Sequence, residues 1–325
     1  MGATEAVVGL LAIPVMLRAG YSKPLISGTI CAGGSLGTII PPSIIPIVVG
    51  PLANVSVGDL LVGMLLPGLI MAGLYILYVV ALSILKPEAA PRVENSARLS
   101  FGDKIRKTWA SLLPPAMLIT AVLGSMMAGI ASPSEAGAIG ALGSVAMSIA
   151  CRTFTWVALR EAAIKTVKIT AMIMTIVLAG SIMTGVFSAA GGIDGSKALV
   201  NFLGLEKWGL LFLVLGLAFA MGFILDWISI ALILIPIFTP LIVSMGHSPV
   251  WFCIMFLVVL QTSYLTPPLA PAIFYMRAIA PESITTSDMY RGVIPFIALQ
   301  IVTLGIVMAF PTVALWLPSQ LLGFK

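Results

Sequence analysis

Apolar residues fall along this chain in long blocks, parted by short clusters of polar and turn-forming residues. Leu60–Leu85, Leu112–Ala131 and Ile169–Ala190 are three such blocks. A helix needs about 20 mostly apolar residues to cross the hydrocarbon core of a bilayer. The blocks therefore predict membrane-crossing helices and an all-α integral membrane fold.

Composition sharpens this reading. Of 325 residues, 60% are hydrophobic and 9% charged, where soluble globular domains carry about 25% charged residues. Too little polar surface remains to cover a water-soluble core. The 31 glycines and 22 prolines fit the same class, because both are commoner in membrane helices than in soluble ones. The net charge of +5 implies no nucleic acid, since the cations are spread over short loops. Cys31, Cys151 and Cys253 have neither metal nor disulfide spacing and are expected to be packing residues. The start, Met-Gly-Ala-Thr-Glu, lacks the basic region of a signal peptide, and Ala6 does not fit N-myristoylation. No Walker or HExxH motif occurs, which argues against an ATP-driven pump. An intramembrane hydrolase would need a nucleophile–base pair or a second buried acid, and the sequence offers neither.

The basic loops set an orientation. Six of the 17 Lys and Arg lie in 86–107, and four more between Arg152 and Lys168. Cytoplasmic loops carry the excess of cations, so both loops belong inside. Segment 108–131 then runs outward, Ser132–Glu135 turns outside and 136–150 returns. The loop at 18–24 falls inside, those at 51–58 and 246–249 outside, and 292–311 runs outward.

Two stretches resemble each other. Gly34-Ser-Leu-Gly-Thr-Ile-Ile-Pro-Pro42 and Thr262-Ser-Tyr-Leu-Thr-Pro-Pro268 both lie in apolar surroundings and end in a proline doublet. Each follows a proline-containing apolar helix, with Pro14 or Pro236, and a short polar turn. Each precedes a turn with an acid and a glycine, Asp59 with Gly63 or Asp288 with Gly292. The offset is about 222 to 229 residues, and the orientation makes the units antiparallel, an inverted repeat of the kind transporters use. Proline removes a backbone donor and pushes its predecessor out of the α region, so the doublets are expected to unwind their helices. Carbonyls freed at membrane depth need protein, water or a ligand, and with Ser and Thr hydroxyls they suit a hard cation such as Na⁺. The plainer alternative at each doublet is a kink. Asp226, in Gly222-Phe-Ile-Leu-Asp226-Trp, lies within the apolar block Leu210–Leu241 near a predicted hairpin tip. An acid at that depth is a functional candidate, and the alternative is a cap on the returning helix.

These motifs, Gly33–Ser43, Ala131-Ser-Pro-Ser-Glu-Ala136, Gly222–Pro236, Leu265-Thr-Pro-Pro268 and Phe310-Pro with Leu317-Pro318, resemble the large membrane subunit (DctM type) of the tripartite ATP-independent periplasmic (TRAP) transporters. The likeness spans essentially the whole chain. It implies an inverted-repeat, elevator-type transporter with re-entrant hairpins and two unwound helices, which imports an organic acid with Na⁺ as coupling ion and no other cofactor. The implied partners are a periplasmic binding protein, a small membrane subunit of DctQ type and the lipid bilayer, in a bacterial inner membrane. Carried over residue by residue, one Na⁺ site draws on Thr4, Gly34, Ser35, Gly37 and Ile39. The other draws on Gly222, Asp226, Thr262, Leu265 and Thr266, and Ser43 and Gln261 are substrate candidates. The implied division is 1–58 for the first transport repeat, 59–197 for connecting and scaffold helices, 198–291 for the second repeat and 292–325 for a last membrane helix. The resemblance also implies an arm before the first hairpin tip that this sequence does not contain, so it reads as N-terminally truncated. Rival readings are a carrier that needs no binding protein and a non-transporting remnant.

Weaker signals have bland expectations. Glu135 should complete a capping box with Ser132. His247, in Gly-His-Ser-Pro, is expected in a solvated loop. Arg160–Lys168 is either an interfacial amphipathic helix or the entry to the next span. Trp109, Trp208 and Trp316 sit where interfacial anchors are expected.

Overall fold

The computed structural model describes residues 2–91, 101–202, 204, 206–268, 270–321 and 323, and these residues form helices joined by turns, without a strand among them. The helices are α1 Gly2–Arg18, α2 Lys23–Leu36, α3 Ile44–Ala53, α4 Val57–Gly63, α5 Leu65–Leu85, α6 Phe101–Met127, α7 Pro133–Ala150, α8 Trp156–Ala189, α9 Gly192–Phe202, α10 Lys207–Met221, α11 Trp227–Ser244, α12 Pro249–Leu265, α13 Pro271–Ile279, α14 Thr286–Ala309 and α15 Thr312–Leu321. Two of the basic residues used for orientation, Arg92 and Arg98, lie outside the described residues.

Local sequence accounts for the helix ends. Ser132 and Glu135 form the expected capping box at α7, and Thr285 and Asp288 form a second at α14. Asn54 closes α3 in the left-handed region at φ 53°, a conformation its short polar side chain tolerates. The basic segment Arg160–Lys168 is a continuous part of α8.

Among the described residues five segments are long and apolar enough to cross a membrane: Val57–Leu85, Ile105–Met127, Trp156–Ala189, Trp227–Ser244 and Thr286–Ala309. The chain is a multi-pass membrane protein. Segment 136–150, expected as a crossing, lies in α7, which is not one of the five; its glycines and serines dilute the apolar run.

The core forms around α12, which is buried on nearly every side from Val250 to Leu265. Its uniformly apolar sequence is that of a helix enclosed by others. By contrast α8 exposes Trp156, Val167, Met174 and Ile182, side chains that lipid solvates. Around α12 the packing is paired. α1 packs on α13 as α11 packs on α3, α2 packs on α14 as α12 packs on α4, and α2 touches α12. The α2–α14 crossing is the most extensive and brings backbones together, since a Cβ on Gly292 would collide with the Pro24 carbonyl and one on Gly28 with the Gly292 carbonyl. Gly63 of α4 meets Ile254 of α12 in the matching place.

Candidate functional site

Between α2 and α3 the chain makes a tight turn. Ile39 and Ile40 N–H groups both donate to Leu36 O, at 3.1 and 2.9 Å. Pro41 and Pro42 offer no donors, and Ser43 opens α3 by accepting from Ile45 N at 3.4 Å. Between α12 and α13, Thr266 N–H donates to Ser263 O and Ala270 N–H to Thr266 O, both at 3.2 Å, before Pro271 opens α13. The Pro41–Pro42 and Pro267–Pro268 peptide bonds are both cis. A third doublet, Pro114-Pro115, lies inside the unbroken α6. A doublet by itself therefore does not end a helix. In α6 it follows Leu112-Leu113, whereas Ile39-Ile40 precede Pro41-Pro42 and Leu265-Thr266 precede Pro267-Pro268.

The two interruptions meet through side chains. Gln261 Nε2 donates to Ser35 Oγ at 3.2 Å, and Gln300 Nε2 of α14 reaches the same oxygen at 3.5 Å. Ser35 Oγ in turn donates to Ala32 O at 2.8 Å. Gln261 Oε1, Gln300 Oε1 and the Tyr75 hydroxyl oxygen are buried in the same region without a hydrogen-bond partner. Buried polar atoms normally find partners, so this set offers free acceptors in an apolar interior.

A cavity of about 390 Å³ lies where the turn between α10 and α11 faces α12. Gly222, Asp226 and Trp227 line it from the turn, Gln261, Ser263 and Tyr264 from α12, Ile45 from α3 and Tyr275 from α13. Gly222 is required there, because a Cβ would collide with the Ser263 side chain. Asp226 is the N-cap of α11: it accepts from Ile228 N at 3.1 Å and from the Ser229 hydroxyl. It is exposed at a helix junction, not buried within an unbroken apolar helix.

Of the residues expected to share sites, Gly222, Asp226 and Gln261 come together around this cavity. Thr262 turns to the opposite side of α12, where its hydroxyl donates to Val258 O at 2.9 Å and it lines an apolar cavity with Phe219 and Leu304. Thr266 donates to Thr262 O at 2.7 Å, and Leu265 is fully buried. On the other side Gly34 and Ser35 are buried, Thr4 and Gly37 are exposed, and the Ile39 carbonyl faces Gly68. Ser43 is buried and occupied as a cap.

Sequence reasoning missed four polar residues of this region. Glu5, in the first turn of α1, is fully buried, and its Oε2 accepts from the Tyr264 hydroxyl at 3.3 Å. Gln300, Tyr75 and Tyr264 were not singled out by any motif of their own, and their polar side chains inside apolar helices were the available signal. Among the described residues no three His, Cys, Asp or Glu gather in one place, so a cation here would be held by carbonyl, hydroxyl and single carboxylate oxygens. His247 also departs from expectation. It is 7% exposed, packs on Trp208 and Trp251, and bonds Lys207 O at 3.3 Å, because the turn folds back onto α10. Cys31 and Cys253 are buried as expected of packing residues, while Cys151 is exposed at the end of α7.

Residues 1–313 match the family described as "Tripartite ATP-independent periplasmic transporter, DctM component". The chain is 30% identical to the C4-dicarboxylate TRAP transporter large permease protein DctM of Pseudomonas aeruginosa, over 98% of this chain and 73% of that protein. It is 28% identical to the protein of the same description from Rhodobacter capsulatus, over 98% and 74%. It is 24% identical to the sialic acid TRAP transporter permease protein SiaT of Haemophilus influenzae, over 97% of this chain and 50% of that one.

Proposed function

Because this chain belongs to the DctM family of tripartite ATP-independent periplasmic transporters, we propose that it is the permease that carries an organic acid across a bacterial inner membrane with Na⁺. The acid is delivered by a periplasmic binding protein, and a small membrane subunit completes the complex. The relatives are named for C4-dicarboxylates and for sialic acid, and both substrates carry carboxylates.

The observation that carries this reading is the convergence of the Gly222–Asp226 turn, the α12 end and the start of α3 on one cavity. In our reading α2–α3 and α12–α13 are the halves of two interrupted membrane helices, and α10–α11 is a re-entrant hairpin whose counterpart includes α1. The paired packing of α1 on α13 and α11 on α3 supports an inverted repeat. One Na⁺ site lies at the first interruption and one at the tip near Asp226. The substrate lies between them, within reach of Gln261 and Ser43. Among the described residues no arginine or lysine lines the cavity, so the carboxylate is held by helix N-termini, hydroxyls and bound Na⁺. The repeats, together with α14 packed against α2, move as an elevator against the remaining helices.

The test is uptake into proteoliposomes carrying this chain with its small subunit and binding protein. A C4-dicarboxylate and sialic acid serve as first probes. Uptake that follows an inward Na⁺ gradient is the expected result, and transport indifferent to Na⁺ overturns the coupling.

A further inference from the structure

Helix α8 is longer than a bilayer requires. Its 34 residues extend about 51 Å at helical rise, against about 30 Å of hydrocarbon. From Ile169 to Ala189 it holds no charged residue, and that part alone supplies about 31 Å. The part before it, Trp156–Lys168, therefore stands at and beyond the level of the lipid headgroups. It carries Arg160, Lys165 and Lys168, which fall within about 140° of the helix circumference at 3.6 residues per turn. Trp156, Val157, Ile164 and Val167 of the same stretch are exposed as well.

A second basic helix end meets this one. α6 and α7 pack antiparallel: a Cβ on Gly140 would meet Val122, and one on Gly143 would meet Leu118. Continued in that register, Ala150 falls beside Ser111, and Arg152 follows at the level of Trp109 and Lys107. The turn after α7 starts α8 from the same level and leaves a cavity of about 160 Å³ between the two helices, with Ser148 and Thr155 on its wall. At its other end the α6–α7 pair is held by Val122, Met126 and Ala136 against Leu61 of α4. Near the basic end Trp109, Leu112 and Ile149 are exposed.

The cations gathered here are free of protein partners. Arg106 lies 3.9 Å from Asp103. Among the described residues Lys107, Arg152, Arg160, Lys165 and Lys168 form no ion pair and no side-chain hydrogen bond, and Glu161 pairs with none of them. Protein interfaces are depleted of lysine at their centres. A headgroup layer suits the mixture better: the long stems lie along acyl chains while the charged ends reach phosphates, and aromatic rings sit at the same depth. Free phosphate would answer the charges but leave Trp109, Trp156 and Val167 in water.

We propose that the shared end of α6, α7 and α8 is a binding surface for anionic phospholipid headgroups, held by Lys107, Arg152, Arg160, Lys165 and Lys168. It ties these helices to one leaflet, independently of the cavity at Asp226 and of what that cavity carries.

The experiment places the purified chain in phosphatidylcholine bilayers with nitroxide-labelled phosphatidylglycerol or nitroxide-labelled phosphatidylcholine. Electron spin resonance reads the fraction of each label immobilised at the protein. The wild type should immobilise phosphatidylglycerol several-fold more than phosphatidylcholine at low salt. At 1 M NaCl, where charges are screened beyond about 3 Å, the ratio should approach one. The combined variant Lys107→Gln, Arg152→Gln, Arg160→Gln, Lys165→Gln and Lys168→Gln should lose the preference. Lys23→Gln with Arg291→Gln, exposed cations of α2 and α14, should keep it. If the combined variant does not fold, Lys165→Gln with Lys168→Gln should still lower the ratio. Equal immobilisation of both labels by the wild type overturns the proposal and leaves the surface to a protein partner. A ratio unmoved by salt, unchanged in a folded variant of the surface, or lost equally in the α2 and α14 control overturns it too. No substrate enters this measurement, so its failure leaves the transport reading standing.

Discussion

Ser35 and Gln261 stand 226 residues apart in sequence and share a side-chain hydrogen bond of 3.2 Å. The same interval separates Pro41 from Pro267 and Pro42 from Pro268. In the inverted repeat we propose, equivalent residues touch only near the axis that relates the halves, which is where this pair would stand; Gln300 bonds the same Ser35 oxygen.

That pairing predicts energetic coupling. Ser35→Ala removes the oxygen acceptor of the buried Gln261 amide and should lower stability by about 1–3 kcal/mol. Gln261→Ala leaves Ser35 its Ala32 and Gln300 partners and should cost less. The double variant should lose less than the sum, by about 1 kcal/mol. Thermal unfolding of the four purified proteins in detergent gives the cycle, and strict additivity would show that the two side chains act independently.

The α2–α14 crossing predicts a sharp contrast within one helix. Gly292→Ala drives a methyl into the Pro24 carbonyl and should cost about 1–3 kcal/mol as overpacking. Gly305→Ala, also in α14 but with open space at its Cβ, should be neutral or stabilising, since alanine favours helix by about 1 kcal/mol over glycine. Unfolding midpoints measured side by side report the difference.

Asp226 separates capping from ion binding. Asp226→Ala removes the acceptor for Ile228 N and should destabilise the protein by about 1 kcal/mol. Asp226→Asn keeps an acceptor but removes the charge, so stability should be largely retained. If the carboxylate also serves Na⁺, the Na⁺ concentration for half-maximal uptake should rise several-fold in Asp226→Asn. An unchanged Na⁺ dependence would assign the residue to capping alone.

His247 predicts acid sensitivity. Burial beneath Trp208 and Trp251 holds its pKa below the ordinary 6.5, with the Lys207 carbonyl partly opposing and the Lys207 charge adding to the effect. The unfolded chain then takes up the proton first as pH falls through the ordinary histidine range. Stability is present above that range and declines below it. Unfolding midpoints across that range should fall with acid in the wild type and flatten in His247→Gln.

The apolar blocks, the ends of α2 and α12 and the box at Ser132 could be read from the sequence, because each depends on neighbours a few residues away. Pro41-Pro42 and Pro267-Pro268 lie where helices end, whereas Pro114-Pro115 lies inside α6, a distinction the doublets themselves did not reveal. Glu5 was illegible for another reason. Its burial depends on Gly34 and Tyr264, 29 and 259 residues away, and near the start of a helix it looked like an ordinary N-terminal acid. His247 was misread likewise, since a Gly-His-Ser-Pro turn looks solvated until α10 and α12 bring two tryptophans to it. Thr262 and Thr266 lie in the expected segment, yet helical rotation points Thr262 away from the cavity, and a repeat alignment carries no such rotation.

The touching main chains at Gly28 and Gly292 leave no compressible layer between α2 and α14. One helix comes from the first half of the sequence and one from the last, and here backbone rests on backbone with no side chain between. A displacement across the bilayer that preserves this contact carries α2 and α14 as a single piece, like two planks nailed face to face.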